Sequence, residues 1–405
     1  MNRRHRVLLL TVGFPPDNCV EARRPAAWAK YLPMFGWDPI VVACNPGEPS
    51  AMTPEEVRLC TGGLETVTRV DAPARRSLPA FVGKVCVLWE LSLLPGAVTR
   101  RLASRALRAA LAVGEGVDVV LGTYPGAWPL LVAKSLAAKW GCPWVADFRD
   151  LPHQLTAMPR FMRKGAVWRV RHLVRDAAHV IADSEGKAAM LRNSRHLVSV
   201  IPSGFDPDTI VTARTEIDRG VFRLVYTGTI TGGQNVKPVM EAIDSLVKSG
   251  QIPADKIEIV FHGTNPSIFA GTSYVKRPTL GAKLSVTEVL QRQRTATALV
   301  LLMVPGAAGV FPGKLYEYLA AGRPILSFPA DPDGVDRVLT ATGAGLSCDN
   351  REQLQRIILR WYREWEQDGD IAFAPNAAEI NRYNRKDQVQ QLAKILDKVV
   401  NAQKP

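Results

Sequence analysis

The segment GVFPGKLYEYLAAGRPIL, residues 309–326, places two charged side chains in the first turns of a short apolar helix. Pro312 and Gly313 suit a helix entry, where unpaired backbone N–H groups and the positive end of the dipole attract phosphate. Lys314 adds a positive charge there, and Glu317, three residues later, shares its helix face. A carboxylate at that position can accept hydrogen bonds from ribose hydroxyls. The segment predicts a nucleotide site, although an exposed ion pair would show the same spacing.

A second candidate site follows the first predicted strand, in the loop GFPPDNCVEARRPAAW. Arg23 and Arg24 stand at the opening of a helix, and Pro25 fits its first turn. Arginine beside a helix N-terminus suggests an anionic ligand, such as a phosphate group. Each arginine could equally be a plain solvent-facing charge.

The sequence DFRD packs three charges into four residues at the end of a buried strand. Asp147, Arg149 and Asp150 cannot all be buried without partners. Either they form a structural ion network, which we favour for at least two of them, or one carboxylate contacts a substrate. His153 follows closely and could contact a substrate too, although a lone loop histidine usually has no such role.

The helical segment RFMRKGAVWRVRHLVRDAAH carries basic side chains on one face. At about 100° per residue, four of them fall within a sector of roughly 60° and a fifth flanks it. The set is Arg160, Lys164, Arg171, Arg175 and, flanking, Arg163. Such a face could dock on anionic lipid headgroups or receive a lipid-pyrophosphate acceptor, and it could also be simply solvated.

Charge and cysteine usage narrow the class of protein. Residues 1–200 carry 27 lysines and arginines against 16 acidic residues, a net charge of +11, whereas the rest of the 405-residue chain carries +2. No nucleic-acid-binding motif accompanies this excess, so we expect no nucleic-acid partner. Six cysteines without a C-x-x-C pair suit a reducing compartment and argue against a zinc site. With no apolar run of about 18 residues, we expect a cytoplasmic protein, at most peripheral on the inner face of the cell membrane.

Short apolar runs alternate with amphipathic helices along the chain, and the alternation restarts after a turn-rich segment at residues 201–220. This order predicts an α/β protein with two doubly wound, Rossmann-like domains facing a cleft. The expected bounds are 1–205 for the first domain, 206–380 for the second, and 381–405 for a helix returning to the first. Ligands of such sheets bind beyond the carboxyl ends of the strands.

These motifs together resemble the retaining GT-B glycosyltransferases, especially family 4 of bacterial polysaccharide and lipid-linked glycan synthesis. The resemblance covers nearly the whole chain in order. It rests on GVFPGKLYEYLAAGRPIL, TVGFPPDNCVEARRPAAWAKYLPMFGW, PWVADFRD, ADSEGKAAMLR, VIPSGFDPD and LVYTGTITGG. It implies that the second domain binds a nucleotide-diphosphate sugar and the first a glycan or lipid-linked acceptor. It implies hexosyl transfer with retention of configuration, without a metal or any cofactor beyond the nucleotide sugar as co-substrate.

The resemblance also implies roles for residues of the donor site. Glu317 matches the second glutamate of the family's E-x7-E motif, which binds the donor ribose. Lys314 and the amides around Gly313 would face the diphosphate. Gly228 and Thr229 stand where the family's loop approaches the donor phosphates.

Two further positions complete the donor side. Lys237 falls near the family's second phosphate-binding cation, and Gly281 matches the glycine before the backbone that contacts the base. The residues expected to carry catalysis are Lys314, Glu317, Lys237, Arg24 and Asp147. Those expected on the acceptor side are Arg23, Arg149, Asp150 and His153.

The chain departs from the family pattern at two positions. Gly309 stands where the first glutamate of E-x7-E is usual, and Thr229 replaces an arginine that many members carry. A related subgroup with a P-x-K-x-x-E-Y-L-A-like segment also lacks the first glutamate, so we interpret both changes as subgroup features. Two alternatives stay open: a nucleotide-sugar epimerase on the same fold, whose acid and histidine set we do not find, or a non-catalytic relative that binds nucleotide sugar or glycan.

Overall fold

The apolar runs form two separate parallel sheets, one in each of two units of the chain. The computed structural model describes residues 3–46, 52–64, 66–71, 97–114, 116–151, 160–192, 197–209, 219–230, 233–282, 284–305, 311–332 and 334–403. The first unit contains Met1–Asp206 and Arg385–Pro405, and the second contains Pro207–Asn384.

Seven parallel strands make the sheet of the first unit: β1 His5–Thr11, β2 Trp37–Cys44, β3 Val67–Val70, β4 Val119–Tyr124, β5 Trp144–Phe148, β6 His179–Ala182 and β7 Val198–Val200. The helices between them are α1 Val20–Tyr31, α2 Pro54–Thr61, α3 Ala97–Val113, α4 Ala127–Trp140, α5 Arg160–Leu173 and α6 Glu185–Leu191. The strand order is β3-β2-β1-β4-β5-β6-β7. Helices cover both faces of the sheet, so β4 and β5 are buried along their whole length.

Six parallel strands make the sheet of the second unit: β8 Phe222–Thr227, β9 Ile257–His262, β10 Thr279–Gly281, β11 Ala298–Leu302, β12 Ile325–Phe328 and β13 Gly345–Ser347. Its helices are α7 Lys237–Lys248, α8 Val286–Thr295, α9 Gly313–Ala321, α10 Val335–Thr342, α11 Arg351–Asp368 and α12 Ala377–Asn381. The order is β10-β9-β8-β11-β12-β13. The last helix, α13 Arg385–Asn401, packs in the first unit, where Val389, Leu392 and Leu396 join the core beneath α1.

Both sheets reverse their direction of winding next to the first strand, between β1 and β4 in one unit and between β8 and β11 in the other. Ligands of doubly wound sheets bind at this switch point, beyond the carboxyl ends of the strands. The loops after β8 and β11 are therefore the places to look for a site in the second unit. Among the described helices, none is long and apolar enough to cross a membrane.

Candidate functional site

Helix α9 begins at the switch point of the second sheet and presents Lys314 and Glu317 in its first two turns. Its N-cap residue is Pro312, whose side chain cannot accept a hydrogen bond, so the first-turn amides rely on other acceptors. Both charged side chains are partly buried, while Leu315 and Tyr316 between them pack inward. The helix N-terminus is thus positively charged and lies at the carboxyl ends of the strands, which is a suitable environment for phosphate.

The Lys314 side chain lies across the turn that ends β8. Its ammonium nitrogen is 5.3 Å from the ring centroid of Tyr226, within cation–π range. The Tyr226 hydroxyl donates to the backbone oxygen of Thr229 at 3.1 Å. A methyl group added at Gly228 would lie 2.6 Å from Cε of Lys314. A side chain at position 228 would therefore displace the end of the Lys314 side chain.

Backbone geometry also favours glycine at position 228. Its φ is +108°, a conformation that residues with a Cβ rarely adopt. Its N–H donates to the carbonyl of His262 at 2.7 Å, and its carbonyl accepts from the Thr264 hydroxyl at 2.9 Å. These hydrogen bonds connect the ends of β8 and β9 next to Lys314.

A buried polar network fixes α9 against β8. The Thr227 N–H donates to the Tyr318 hydroxyl oxygen at 3.1 Å, and the amide of Gln293 donates to the Thr227 hydroxyl at 2.9 Å. Burial raises the pKa of Tyr318 to about 12, so the phenol stays neutral. Tyr318 is one helical turn after Lys314, so this network sets the position of the lysine.

His262 and Gly281 lie side by side at the ends of β9 and β10. A Cβ at Gly281 would overlap the imidazole of His262. Nδ1 of His262 is buried and has no hydrogen-bond partner among the described residues. Burial, with Arg292 nearby, lowers the pKa of His262, so the ring is neutral near pH 7. The sequence pointed to Gly281 but not to this buried neighbour.

The other two predicted donor positions lie in more open surroundings. Lys237 opens α7 with its side chain 67% exposed, and its ammonium nitrogen is 3.6 Å from Glu241. Thr229 is exposed. Gly309 lies outside the described residues. Among the predicted donor residues, Lys314, Gly228 and Gly281 make close contacts with their neighbours.

In the first unit, Arg24 and Asp147 form a buried bidentate ion pair. Nη2 and Nε of Arg24 donate to the two carboxylate oxygens at 2.8 and 3.2 Å, and Nη1 donates to the Pro202 carbonyl at 2.9 Å. The two side chains are 7% and 1% exposed. Burial raises the pKa of Asp147, and the Arg24 charge opposes that shift. Together with Thr11 and Tyr124, the pair lines a small cavity at the switch point of this sheet.

The remaining charges of DFRD are paired as well. Nη2 of Arg149 is 3.0 Å from Asp150 and 3.4 Å from Glu21. Lys187, which is buried, donates to the backbone oxygen of Arg149 and pairs with Asp183 at 2.7 Å. The structure therefore contains the ion network that we favoured for this segment. Asp150 keeps a side chain that is 34% exposed.

Arg23 is partly buried in a second cluster of charges, together with Arg385 of α13. Burial and the neighbouring Arg23 lower the pKa of Arg385 to about 10. Lys30 and Asp206 form an ion pair of 3.0 Å in the same region. His153 lies outside the described residues. No group of three or more metal-ligating side chains occurs within the ranges that the structure describes.

The basic segment 160–179 is helical only over Arg160–Leu173, so Arg175 lies in the turn after the helix and not on its predicted basic face. The helix presents an exposed aromatic side chain. Trp168 is 65% exposed and stacks on His172 with ring centroids 5.3 Å apart. Arg171 donates to the carbonyl of Met190, whose side chain is also exposed. Lys164 and Arg175 are exposed; the side chains of Arg160 and Arg163 lie outside the described part.

Comparison with known proteins identifies the fold. No protein-family model and no curated protein matches the chain. HepE from Anabaena in complex with UDP-glucose matches with a TM-score of 0.62 at 14% identity, over 97% of this chain and 99% of that one. Sucrose-phosphate synthase from Thermosynechococcus elongatus gives 0.68 at 15% identity, over 98% and 100%.

A third match is named for a different activity. A Listeria monocytogenes protein assigned as a UDP-N-acetylglucosamine 2-epimerase gives a TM-score of 0.59 at 14% identity, over 100% of this chain and 99% of that one. At these identities the likeness establishes architecture alone, and it confirms the predicted GT-B fold of two doubly wound units. The site residues must decide between reactions that share this fold.

Proposed function

We propose that the protein is a glycosyltransferase that moves a hexosyl group from a nucleoside-diphosphate sugar to a glycan or lipid-linked acceptor, with retention of anomeric configuration. The observation that carries this proposal is Lys314, held over Gly228 at the N-terminus of α9. A cation and helix amides at a switch point suit a diphosphate.

The same groups supply the chemistry. As the bond between sugar and diphosphate breaks, negative charge grows on the leaving phosphate, and preorganised positive groups lower the barrier. Lys314 and the first amides of α9 stabilise that charge, with Lys237 as a second cation, while Glu317 holds the ribose. Thr229 and the backbone beside Gly281 contact the phosphates and the base. The acceptor oxygen forms the new bond to the anomeric carbon on the face from which the diphosphate leaves, and its proton passes to the leaving phosphate, without a metal.

The first unit supplies the acceptor side. Arg23, Arg149, Asp150 and His153 bind the acceptor in this proposal. Arg24 and Asp147 hold one another in place beside the switch point, and support the loop after β1. The exposed part of Asp150, next to a buried network, supports a role in contacting an acceptor hydroxyl.

A product assay separates this reaction from the epimerase alternative. Nucleotide sugars are incubated with and without a glycan acceptor, in EDTA, and products are followed by anomeric proton NMR. The proposal expects free nucleoside diphosphate and an acceptor glycoside with the configuration of the donor. An epimerised nucleotide sugar formed without acceptor would favour the epimerase. Neither product, with nucleotide bound, would favour the non-catalytic relative.

Gly228→Ala is expected to weaken nucleoside-diphosphate binding at least about tenfold. The added methyl group would push Lys314 aside, and the positive φ would strain the backbone by roughly 1–3 kcal/mol. The matched control is Gly250→Ala, because Gly250 has φ +70° and open space around its missing Cβ. Calorimetric titration should show weaker binding for the first variant only. Equal affinities of the two variants for the nucleoside diphosphate would show that Lys314 is not part of the site.

We also propose that the protein is cytoplasmic and peripheral to the membrane. In this proposal α5 contacts the anionic inner face of the cell membrane. An exposed tryptophan beside lysine and arginine suits the interface between headgroups and acyl chains. The five described cysteines, which form no disulfide, support a reducing compartment.

Lys164→Gln combined with Arg175→Gln is expected to lower binding to phosphatidylglycerol vesicles by roughly 30-fold, at about 1 kcal/mol for each charge. Trp168→Ser should weaken binding further. Arg356→Gln with Arg363→Gln, two exposed arginines of α11, is the control for charge alone. Co-sedimentation measures the effect. If the control pair loses as much binding as the pair Lys164→Gln/Arg175→Gln, attachment through α5 and the turn that follows it is wrong.

A further inference from the structure

A cavity of about 310 Å³ lies at the carboxyl end of β3, and none of the DFRD residues lines it. It is lined by Arg69, Val70, Asp71, Arg105, Arg108 and Ala109. Three arginines and one aspartate are among the lining residues, giving a formal local charge of +2. The volume is at the lower end of the range for small-molecule pockets, roughly 300–1,000 Å³.

Neutral groups hold the first of these arginines in place. Nη1 of Arg69 donates to the carbonyls of Cys44 and Phe14 at 2.9 and 3.3 Å, and Nη2 donates to that of Pro15. The guanidinium also lies 5.8 Å from the Phe14 ring centroid. The carbonyls orient the cation without neutralising it, and the nearby Asp17 carboxylate favours its charged form. Burial lowers the pKa of Arg69, as expected for a cation that has lost part of its solvent.

The other two arginines come from a different element. Arg105 and Arg108 are three residues apart on α3 and share a face. Nη1 of Arg105 donates to the backbone carbonyl of Asp71 at 3.0 Å. The Asp71 carboxylate accepts a hydrogen bond from Asn45. Within the described residues, no carboxylate forms an ion pair with Arg105 or Arg108. Like charges at this spacing repel, so an anion between them would be stabilised.

The cavity is also placed where an acceptor would extend. All strands are parallel, so the end of β3 is on the same edge of the sheet as the loops after β1 and β4. It lies two strands from β1, which is about 10 Å at the usual strand spacing. An anion bound there would belong to a part of the acceptor next to the reacting hydroxyl, not to the hydroxyl group itself.

We infer that this cavity binds an anionic group, a phosphate or a carboxylate, on the acceptor of the transfer reaction. The inference rests on the proposed function, and it makes the acceptor an acidic or phosphorylated glycan. Arginine suits both anions because its planar fork can bind two oxygens at once. An anionic acceptor also accounts for the location of the positive charge in the first half of the chain.

Binding can be tested without turnover. Protein with excess UDP is titrated by calorimetry with two matched pairs of probes: a galacturonic acid trisaccharide against its methyl ester, and glucose 6-phosphate against glucose. Wild type is compared with Arg105→Gln/Arg108→Gln. The control is Arg100→Gln/Arg101→Gln, which removes two exposed charges from the same helix outside the cavity. Thermal unfolding checks that both variants are folded.

The expected result is tighter binding of at least one anionic probe than of its neutral partner. That preference should fall at least about tenfold in the cavity variant and little in the control. The uronate and phosphate pairs distinguish the two sources of charge. Equal binding of charged and neutral probes, or equal loss in both variants, would overturn the inference. Loss of UDP binding in Lys314→Met, measured separately, reports on the donor site, so the two failures are distinguishable.

Discussion

Lys314→Met is expected to lower the rate of sugar transfer by about 10²–10³-fold, the usual loss when one preorganised group that stabilises transition-state charge is removed. Methionine keeps the apolar stem that passes over Gly228 and Tyr226 while it removes the positive charge. Affinity for the nucleoside diphosphate should fall as well. Initial rates over a range of donor concentrations measure kcat and kcat/KM for both proteins.

The matched control for this variant is Lys256→Met. Lys256 is exposed and directly precedes β9, at the amino-terminal edge of the same sheet. Its replacement changes net charge equally at the edge where doubly wound sheets do not bind ligands. A loss below about threefold in Lys314→Met, or a similar loss in the control, would mean that the α9 cation is not part of the catalytic machinery.

Arg24→Met is expected to lower the free energy of unfolding by about 3–5 kcal/mol, because it leaves the Asp147 carboxylate buried without its bidentate partner. Arg4→Met, which breaks an exposed pair with Asp38, should cost only about 0–1 kcal/mol. Urea unfolding followed by tryptophan fluorescence gives both values. The double variant Arg24→Met/Asp147→Leu should recover part of the loss, since it removes both charges.

This series also separates a positioning role from a catalytic one. If Arg24 acts only by holding Asp147 and the Pro202 carbonyl, activity should fall in proportion to folded protein. A variant that unfolds like wild type but transfers no sugar would instead make Arg24 a direct ligand of the substrate. That outcome would contradict the stability prediction and support the catalytic role inferred from the sequence.

The two-sheet fold could be predicted because long apolar strands and amphipathic helices are local signals. Three short strands were not predicted, because they lack such a local signal. β3 is VTRV with a charged residue inside it, and β10 and β13 have only three residues each. These edge strands exist because neighbouring strands offer backbone partners, and no short stretch of sequence contains that information.

Some residues of the candidate site could likewise be predicted from local sequence, and others could not. The helix entry at Pro312 and Gly313 and the charges in the next two turns are local features, so the sequence indicated Lys314 and Glu317. Arg24 and Asp147 were both singled out, but their mutual pairing spans 123 positions and could not be read from spacing. Tyr318 and His262 were missed because they look like ordinary core residues until their neighbours are known.

Nucleotide binding by wild type and by Lys314→Met is the most direct test of a donor site in the second unit. Thermal unfolding is measured with UDP, GDP, CDP, dTDP and ADP, with and without EDTA. At 100 times its dissociation constant, one diphosphate should stabilise wild type by about 2.7 kcal/mol, regardless of EDTA. It should stabilise the variant far less. No response to any nucleotide, or an equal response in both proteins, would contradict a diphosphate site at Lys314.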